Sequence, residues 1–456
     1  MTQLAAAEVI GGDEERAAGE RWHPLARMGF RFGFVFLGIG MAGAWLTYAL
    51  LRSFGVPQRT VTAVAEWTAL HPLTDVVGEH LFGVRIDFTP TGSGDTAAQW
   101  VSIFTWLLVA VVVTAVWSVL DRRRPDYSRL YEWFRLLLRA ALVSALLLYG
   151  MVKLLPSQMS FSLDRLVEPF GDMSPMAVLW AQTSLSQPYE IALGAAELTA
   201  ALLLVLPRTA GLGSVLAVIV TLQIFLLNLT FDVPVKIFSL QLFLYALVLA
   251  APHIVRTVTA LAGGAVPVRS PEPLRTTPRG NRILLIAQLV FGVWLLFTAI
   301  TEGADAWHSY GNDRPHSPLY GIWDITDYTV GGQDMPALVD FSRSPDDNQM
   351  LSATVRLRRI IFDIPIGMTA QRMDDSLFSL PAQIDTDRHT VILSKDLAHQ
   401  LRIATLEYRQ PQPDQLILEG QLGGRPVRMQ LTRIDLQRFP AVARGFHWMQ
   451  PVPYFR

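Results

Sequence analysis

Residues Val101–Leu120, VSIFTWLLVAVVVTAVWSVL, run without a single charged side chain. As one helix rising 1.5 Å per residue, an apolar run of that length covers the ~30 Å hydrocarbon core of a bilayer. Ile283–Thr301 is a second uncharged run. Five further apolar stretches, near 29–51, 134–155, 188–206, 209–230 and 235–251, bring the predicted spans to seven. The whole chain agrees with this reading: 456 residues, 51% hydrophobic and 17% charged, against ~25% charged in an ordinary soluble domain. A net charge of −1 supplies no basic field, so no nucleic-acid partner is expected. The absence of cysteine excludes disulfides, iron–sulfur clusters, thiolate metal sites and dithiol chemistry. Any redox role must rest on a borrowed cofactor.

The first span is too long for a signal-peptide core and follows the acidic Asp13-Glu14-Glu15, so it is expected to remain as an anchor. With residues 1–28 as a cytoplasmic tail, the inner segments hold thirteen arginines against six basic residues outside. The Arg122-Arg123-Arg124 run carries most of that bias, and positive charge is retained inside. Seven spans then place the C-terminus outside, giving a multi-pass protein of the plasma (bacterial inner) membrane. The expected divisions are a six-span domain over 29–261, a cytoplasmic Pro/Gly/Arg linker over 262–281, a seventh helix over 282–302 and an extracytoplasmic β domain over 303–456. In the outer segment 60–99, Val61, Val64, Ala65 and Trp67 have the spacing of an amphipathic interfacial helix before Pro72. Gly92-Ser93-Gly94-Asp95-Thr96 lacks the lysine of a phosphate loop and reads as a turn and helix cap.

Residues 304–456 carry 34 of the chain's 77 charged residues. From Gly321 on, short period-two runs alternate with turn residues, the pattern of an all-β domain. The runs lie near 322–330, 352–362, 366–373, 376–384, 389–394, 402–409, 415–421 and 425–434, separated by turns such as Gly331-Gly332 and Gly423-Gly424. Eight successive short strands predict a closed antiparallel meander, because closure removes exposed edges. Gly321-Ile322-Trp323 resembles the Gly-x-Trp motif that opens lipocalin and fatty-acid-binding barrels. The resemblance implies that Trp323 closes the barrel floor and that a basic residue beyond the last strand, Arg444, packs over its ring by cation–π attraction. A lipocalin-like barrel either holds an apolar ligand or is filled by its own side chains.

Charged groups inside spans are costly and therefore candidates for function. Tyr149 and Lys153 close the third span. On the fourth, Glu190, Gly194 and Glu197 share one helix face. Asn228 ends the fifth span, and Asp232 and Lys236 flank the next turn at i,i+4 spacing, with Asp232 placed to cap the sixth helix. In the expected topology all of these lie toward the outer ends of their helices. They fit a pocket in which Lys153 and Glu197 are catalytic and Tyr149, Glu190, Asn228, Asp232 and Lys236 hold a cofactor. They equally fit a polar clamp that fixes bundle geometry. No histidine lies inside a span to ligate haem, and no metal-ligand spacing stands out.

Gly150 and Lys153, Gly194 and Glu197, and Pro207-Arg208 within 134–251 resemble the DoxX family of small four-helix membrane proteins. That resemblance implies membership in membrane-bound oxidoreductase assemblies, notably a subunit of thiosulfate:quinone oxidoreductase. The Tyr149–Lys153 stretch, the Asp121–Pro125 loop and the outer helical segment are also similar to the horizontally transferred transmembrane domain of the γ-carboxylase group. There a lysine in the matching context acts as base on a reduced naphthoquinone. Both resemblances imply a quinone as cofactor, membrane lipid as surroundings, and a redox or assembly partner subunit. The alternative is a non-enzymatic protein that binds lipid or supports assembly through its outer barrel.

Overall fold

A computed structural model of the chain describes residues 21–40, 46–47, 50–51, 54–89, 91–264, 274–337, 356–398 and 400–455. The acidic stretch before the first span, the end of that span, the centre of the 262–281 linker and the start of the strand run at 352–362 lie outside the described residues. Two compact units emerge, one of residues 1–151 and 193–302, the other of residues 152–192 and 303–456.

The first unit is helical. Its elements are α1 (Pro24–Gly40), α2 (Gln58–Thr68), α3 (His71–Val77), α4 (Ala97–Leu120), most of α5 (Ser128–Leu154), the larger part of α7 (Gln187–Val205), α8 (Ala210–Thr230), α9 (Lys236–Leu261) and α10 (Pro278–Ser309), the last running on into the second unit. Helices α4, α5, α7, α8, α9 and α10 are each long and apolar enough to cross a membrane. Their surfaces leave large apolar side chains uncovered, among them Val112, Val119, Ile219, Val293 and Phe297. Uncovered apolar area on that scale calls for lipid, so the chain reads as a multi-pass membrane protein. The helices extend past the apolar runs that predict them because their end turns are polar: α9 continues ten residues beyond position 251, through Pro252.

The connecting segments are built as the sequence leads one to expect. Thr96 caps α4 by accepting from the Gln99 N–H. Helices α2 and α3 form the amphipathic pair, and Trp106 on α4 donates to the Ala69 carbonyl between them at 2.8 Å. Helix α1 is held by a buried guanidinium. Arg31 donates to the Tyr127 hydroxyl, to Ser118 and to the Asp121 carbonyl, amid a ring cluster of Phe30, Phe34, Trp117 and Tyr127. The Tyr127 hydroxyl in turn donates to Asp121 at 2.8 Å, and this bond, ahead of the nearby Arg124 and Arg31 charges, holds the Asp121 carboxyl below the usual carboxylate range. A depressed folded value means that the contribution is present above the ordinary carboxyl range and is lost as pH falls through the depressed value. Asp121→Asn, which still accepts from Tyr127, is expected to flatten the acid limb of the thermal midpoint against pH in nanodiscs. An acid limb identical to that of the parent would contradict this.

The second unit carries α6 (Pro175–Ser184) and the barrel. Strands β1 (Gly321–Val330), β2 (Gln333–Asp334), β3 (Leu357–Phe362), β4 (Gly367–Arg372), β5 (Leu377–Asp385), β6 (Thr390–Ser394), β7 (Arg402–Gln412), β8 (Gln415–Leu422) and β9 (Arg425–Arg433) follow one another as antiparallel neighbours. β2 is a two-residue addition to the end of β1; β1 also pairs with β9, so the other eight strands close into a barrel. Gly423 and Gly424 both have positive φ, as the two-residue turn between β8 and β9 requires.

The barrel interior is one continuous cluster that includes Trp323, Tyr328, Phe362, Met368, Leu406 and Met429. The outer face of β1 and β3 also presents apolar groups, Ile322 and Ile361. Leu163 covers them, with Phe161, Leu166 and Val167 alongside. Those covering residues belong to the connection between α5 and α7. The division therefore differs from a boundary at 303: Val152–Ala192 sorts with the barrel, because it supplies the cover that these isoleucines need.

Candidate functional site

The candidate residues fall into both units. In the helical unit, Gly150 on α5 lets α7 approach closely. A Cβ there would meet Leu198 Cγ at 3.0 Å and Glu197 Cβ and the Gly194 carbonyl at 3.1 Å. The small residues singled out in the sequence thus build a tight crossing that carries Glu197, itself 2% exposed. The Tyr149 ring lies 6.0 Å from that of Phe238, and Asn228 is buried near the end of α8.

Asp232 and Lys236 form the expected pair, Nζ to Oδ1 at 2.8 Å, but Asp232 does not cap α9. The cap is Asp95, whose two carboxylate oxygens accept from the Lys236 N–H at 2.8 Å and the Ile237 N–H at 3.0 Å. Asp95 also lies 3.6 Å from Lys236 Nζ. Asp232 has φ +53° and a mostly exposed side chain, so it completes the turn while a residue 141 positions away satisfies the helix start. These groups read best as an inter-helix clamp.

In the second unit, Lys153 and Glu190 are 6% and 0% exposed, and Lys153 is the charge that acts on Glu190. One Glu190 oxygen accepts from the Met159 N–H at 3.2 Å. The other, Oε2, is buried with no hydrogen-bond partner among the described residues, as is Oε1 of the neighbouring Gln158. Each orphaned buried acceptor costs about 1–3 kcal/mol, so this pair of oxygens asks for donors. Glu190 sits in the first turn of α7, where the helix dipole also favours an anion.

At the barrel floor, Trp323 is buried and donates from Nε1 to the Leu319 carbonyl at 2.8 Å. Arg444 lies elsewhere, 4.0 Å over the Tyr454 ring. The basic residue beside the start of β1 is Arg433: it pairs with Trp323 across β1 and β9, and its side chain occupies the space that a Cβ on Gly321 would take. A strand register, invisible as a motif, decides which arginine stands opposite Trp323.

Two groups were not among the candidates. Arg314 donates to the Phe161 carbonyl and to Asp363, both at 2.8 Å, beside a cleft of about 530 Å³ whose lining includes Ser160, Ser162, Asp164, Tyr310 and Thr369. Arg135 and Arg139, four apart on α5, carry charge into a span; that spacing was the available signal.

No family model matches the chain, and no solved structure matches it. An uncharacterised protein of Bacillus subtilis (strain 168), YwoB, is 34% identical over 89 residues, which cover 18% of this chain and 58% of that protein. The chain thus spans less than two thirds of that relative.

Proposed function

We propose that the chain is a DoxX-like, quinone-linked membrane protein, an oxidoreductase or its accessory subunit, with the quinone head group held at Lys153 and Glu190. One observation supports this above the others: Glu190 is fully buried at the start of a helix long and apolar enough to span, and among the described residues its Oε2 lacks a donor while the buried Lys153 charge acts on it. A quinol hydroxyl is a donor of the right kind, and the Glu190 carboxylate is the acceptor suited to taking up its proton, with the Lys153 charge acting on it. The chain has no cysteine for an iron–sulfur or dithiol centre, and this reading assigns the electrons released from a quinol to a partner subunit. The packed barrel interior supports a structural role for the barrel.

The reading is tested by titrating the purified full chain in nanodiscs with short-chain benzoquinol and naphthoquinol. Saturable binding is expected, weakened about tenfold or more in Lys153→Met and Glu190→Gln, where one charge-assisted bond is lost. Equal binding by all three proteins would refute it.

The proposed topology keeps the N-terminus cytoplasmic and the barrel outside. The cysteine-free sequence makes this direct to examine with single cysteines at Arg123 and at Asp387. An impermeant maleimide applied to spheroplasts should label Asp387→Cys and spare Arg123→Cys; the opposite pattern would reverse the orientation.

A further inference from the structure

Helix α5 brings two arginines into the apolar layer. Its 27 residues span about 40 Å, more than the ~30 Å hydrocarbon core, so its first turns stand at headgroup level. Tyr131 and Trp133 there fit the aromatic belt of an interface. Arg135 and Arg139 follow one and two turns deeper on one face. Side chains lean toward the helix N-terminus, so both guanidinium groups reach back toward that interface.

Their partners differ. Arg135 is paired with Glu132 at 3.2 Å. Arg139 donates to the neutral side chain of Gln288 on α10. Among the described residues, the charges that act on Arg139 are Arg135, which is like, and Glu132, which is already engaged. The group therefore carries a net positive charge inside an apolar layer, where an uncompensated guanidinium is costly.

A cleft of about 210 Å³ opens beside it, between α5, α7 and α10. Leu136, Val143, Val205 and Phe291 line it with other apolar groups; Arg139 and Gln288 are its polar members. Its base is shaped by a close helix approach, since a Cβ on Gly292 would meet Val205 Cγ1 at 2.6 Å. An apolar slot ending at a guanidinium and an amide matches a molecule with a hydrocarbon tail and an anionic head.

We infer that this cleft binds an anionic phospholipid, its acyl chain lying along the α5–α10 slot and its phosphate on Arg139. Charge complementarity selects the occupant. A zwitterionic lipid brings its own cation to the headgroup and leaves the Arg135–Arg139 excess uncompensated. The site involves neither Lys153 nor Glu190, so it stands apart from the quinone reading.

The test is native mass spectrometry of the delipidated full chain titrated with dioleoylphosphatidylglycerol, dioleoylphosphatidylcholine and oleate. One phosphatidylglycerol is expected to bind about tenfold or more tightly than phosphatidylcholine. Arg139→Leu should abolish the preference, and Arg139→Lys should restore part of it. Leu137→Trp, at the exposed wall of the cleft, should weaken binding with the charge intact. Unchanged thermal midpoints would show that the variants fold. Equal affinity for the two phospholipids, or a preference that survives Arg139→Leu, would overturn the inference. Oleate binding more tightly than phosphatidylglycerol would also overturn it, in favour of a free fatty acid.

Discussion

Arg314→Met is expected to free the 156–168 segment from the barrel at a cost of about 3–5 kcal/mol, the usual penalty for breaking a buried ion pair from one side. Arg314 and Asp363 leave 9% and 15% of their side chains exposed, so solvent screens them little. The guanidinium also serves the Gly311 and Phe161 carbonyls, and the same Asp363 oxygen lies 3.4 Å from the Leu163 N–H. Removing the arginine strands Asp363, whose Oδ1 already lacks a partner among the described residues. Trypsin cleavage at Arg165, measured on the full chain in nanodiscs, should accelerate by about a hundredfold or more if opening precedes cleavage. The double variant Arg314→Met with Asp363→Leu should recover much of the protection, because no lone charge remains. A single variant cleaved at the parental rate would show that the segment is held by its apolar residues alone.

Gly420→Val is expected to be as damaging within the barrel. A Cβ at Gly420 would stand 2.2 Å from the Thr405 carbonyl oxygen and 2.9 Å from Leu406 Cα, backbone atoms of the neighbouring strand. Gly420 pairs with Leu406 in the middle of the β7–β8 ladder, so relief requires that the two strands separate. Overpacking against backbone belongs to the upper range of point-mutation effects, about 3 kcal/mol or more. Hydrogen exchange of the β7 and β8 amides should rise by at least about a hundredfold. Gly171→Ala, where an added Cβ meets nothing, should leave exchange unchanged. Parental exchange in Gly420→Val would mean that the ladder has room that its geometry denies.

What could be read along the chain was local. Val101–Leu120 announces its helix because twenty uncharged positions have few other stable solutions, and Gly423-Gly424 announces its turn because its backbone needs positive φ. The spacing of Glu190, Gly194 and Glu197 likewise follows from helix periodicity. The rest depended on partners far away in sequence. Asp95 caps a helix 141 positions later, a choice no local signal can make over Asp232. The α5–α7 connection covers Ile322 and Ile361, although nothing in its composition separates it from an ordinary inter-span loop. Arg433 rather than Arg444 lies beside Trp323 because of strand register. Arg139 was legible as a charge in a span; its neutral partner Gln288 lies on another helix.

The central claim is that a quinone satisfies the buried oxygen of Glu190. The most direct measurement is the quinone extracted per chain from protein taken into nanodiscs with its native lipids. The account predicts close to one quinone per chain for the parent and less than about a tenth of that for Glu190→Gln, folded equally well. Equal quinone contents in the two proteins, or none in the parent, would contradict it.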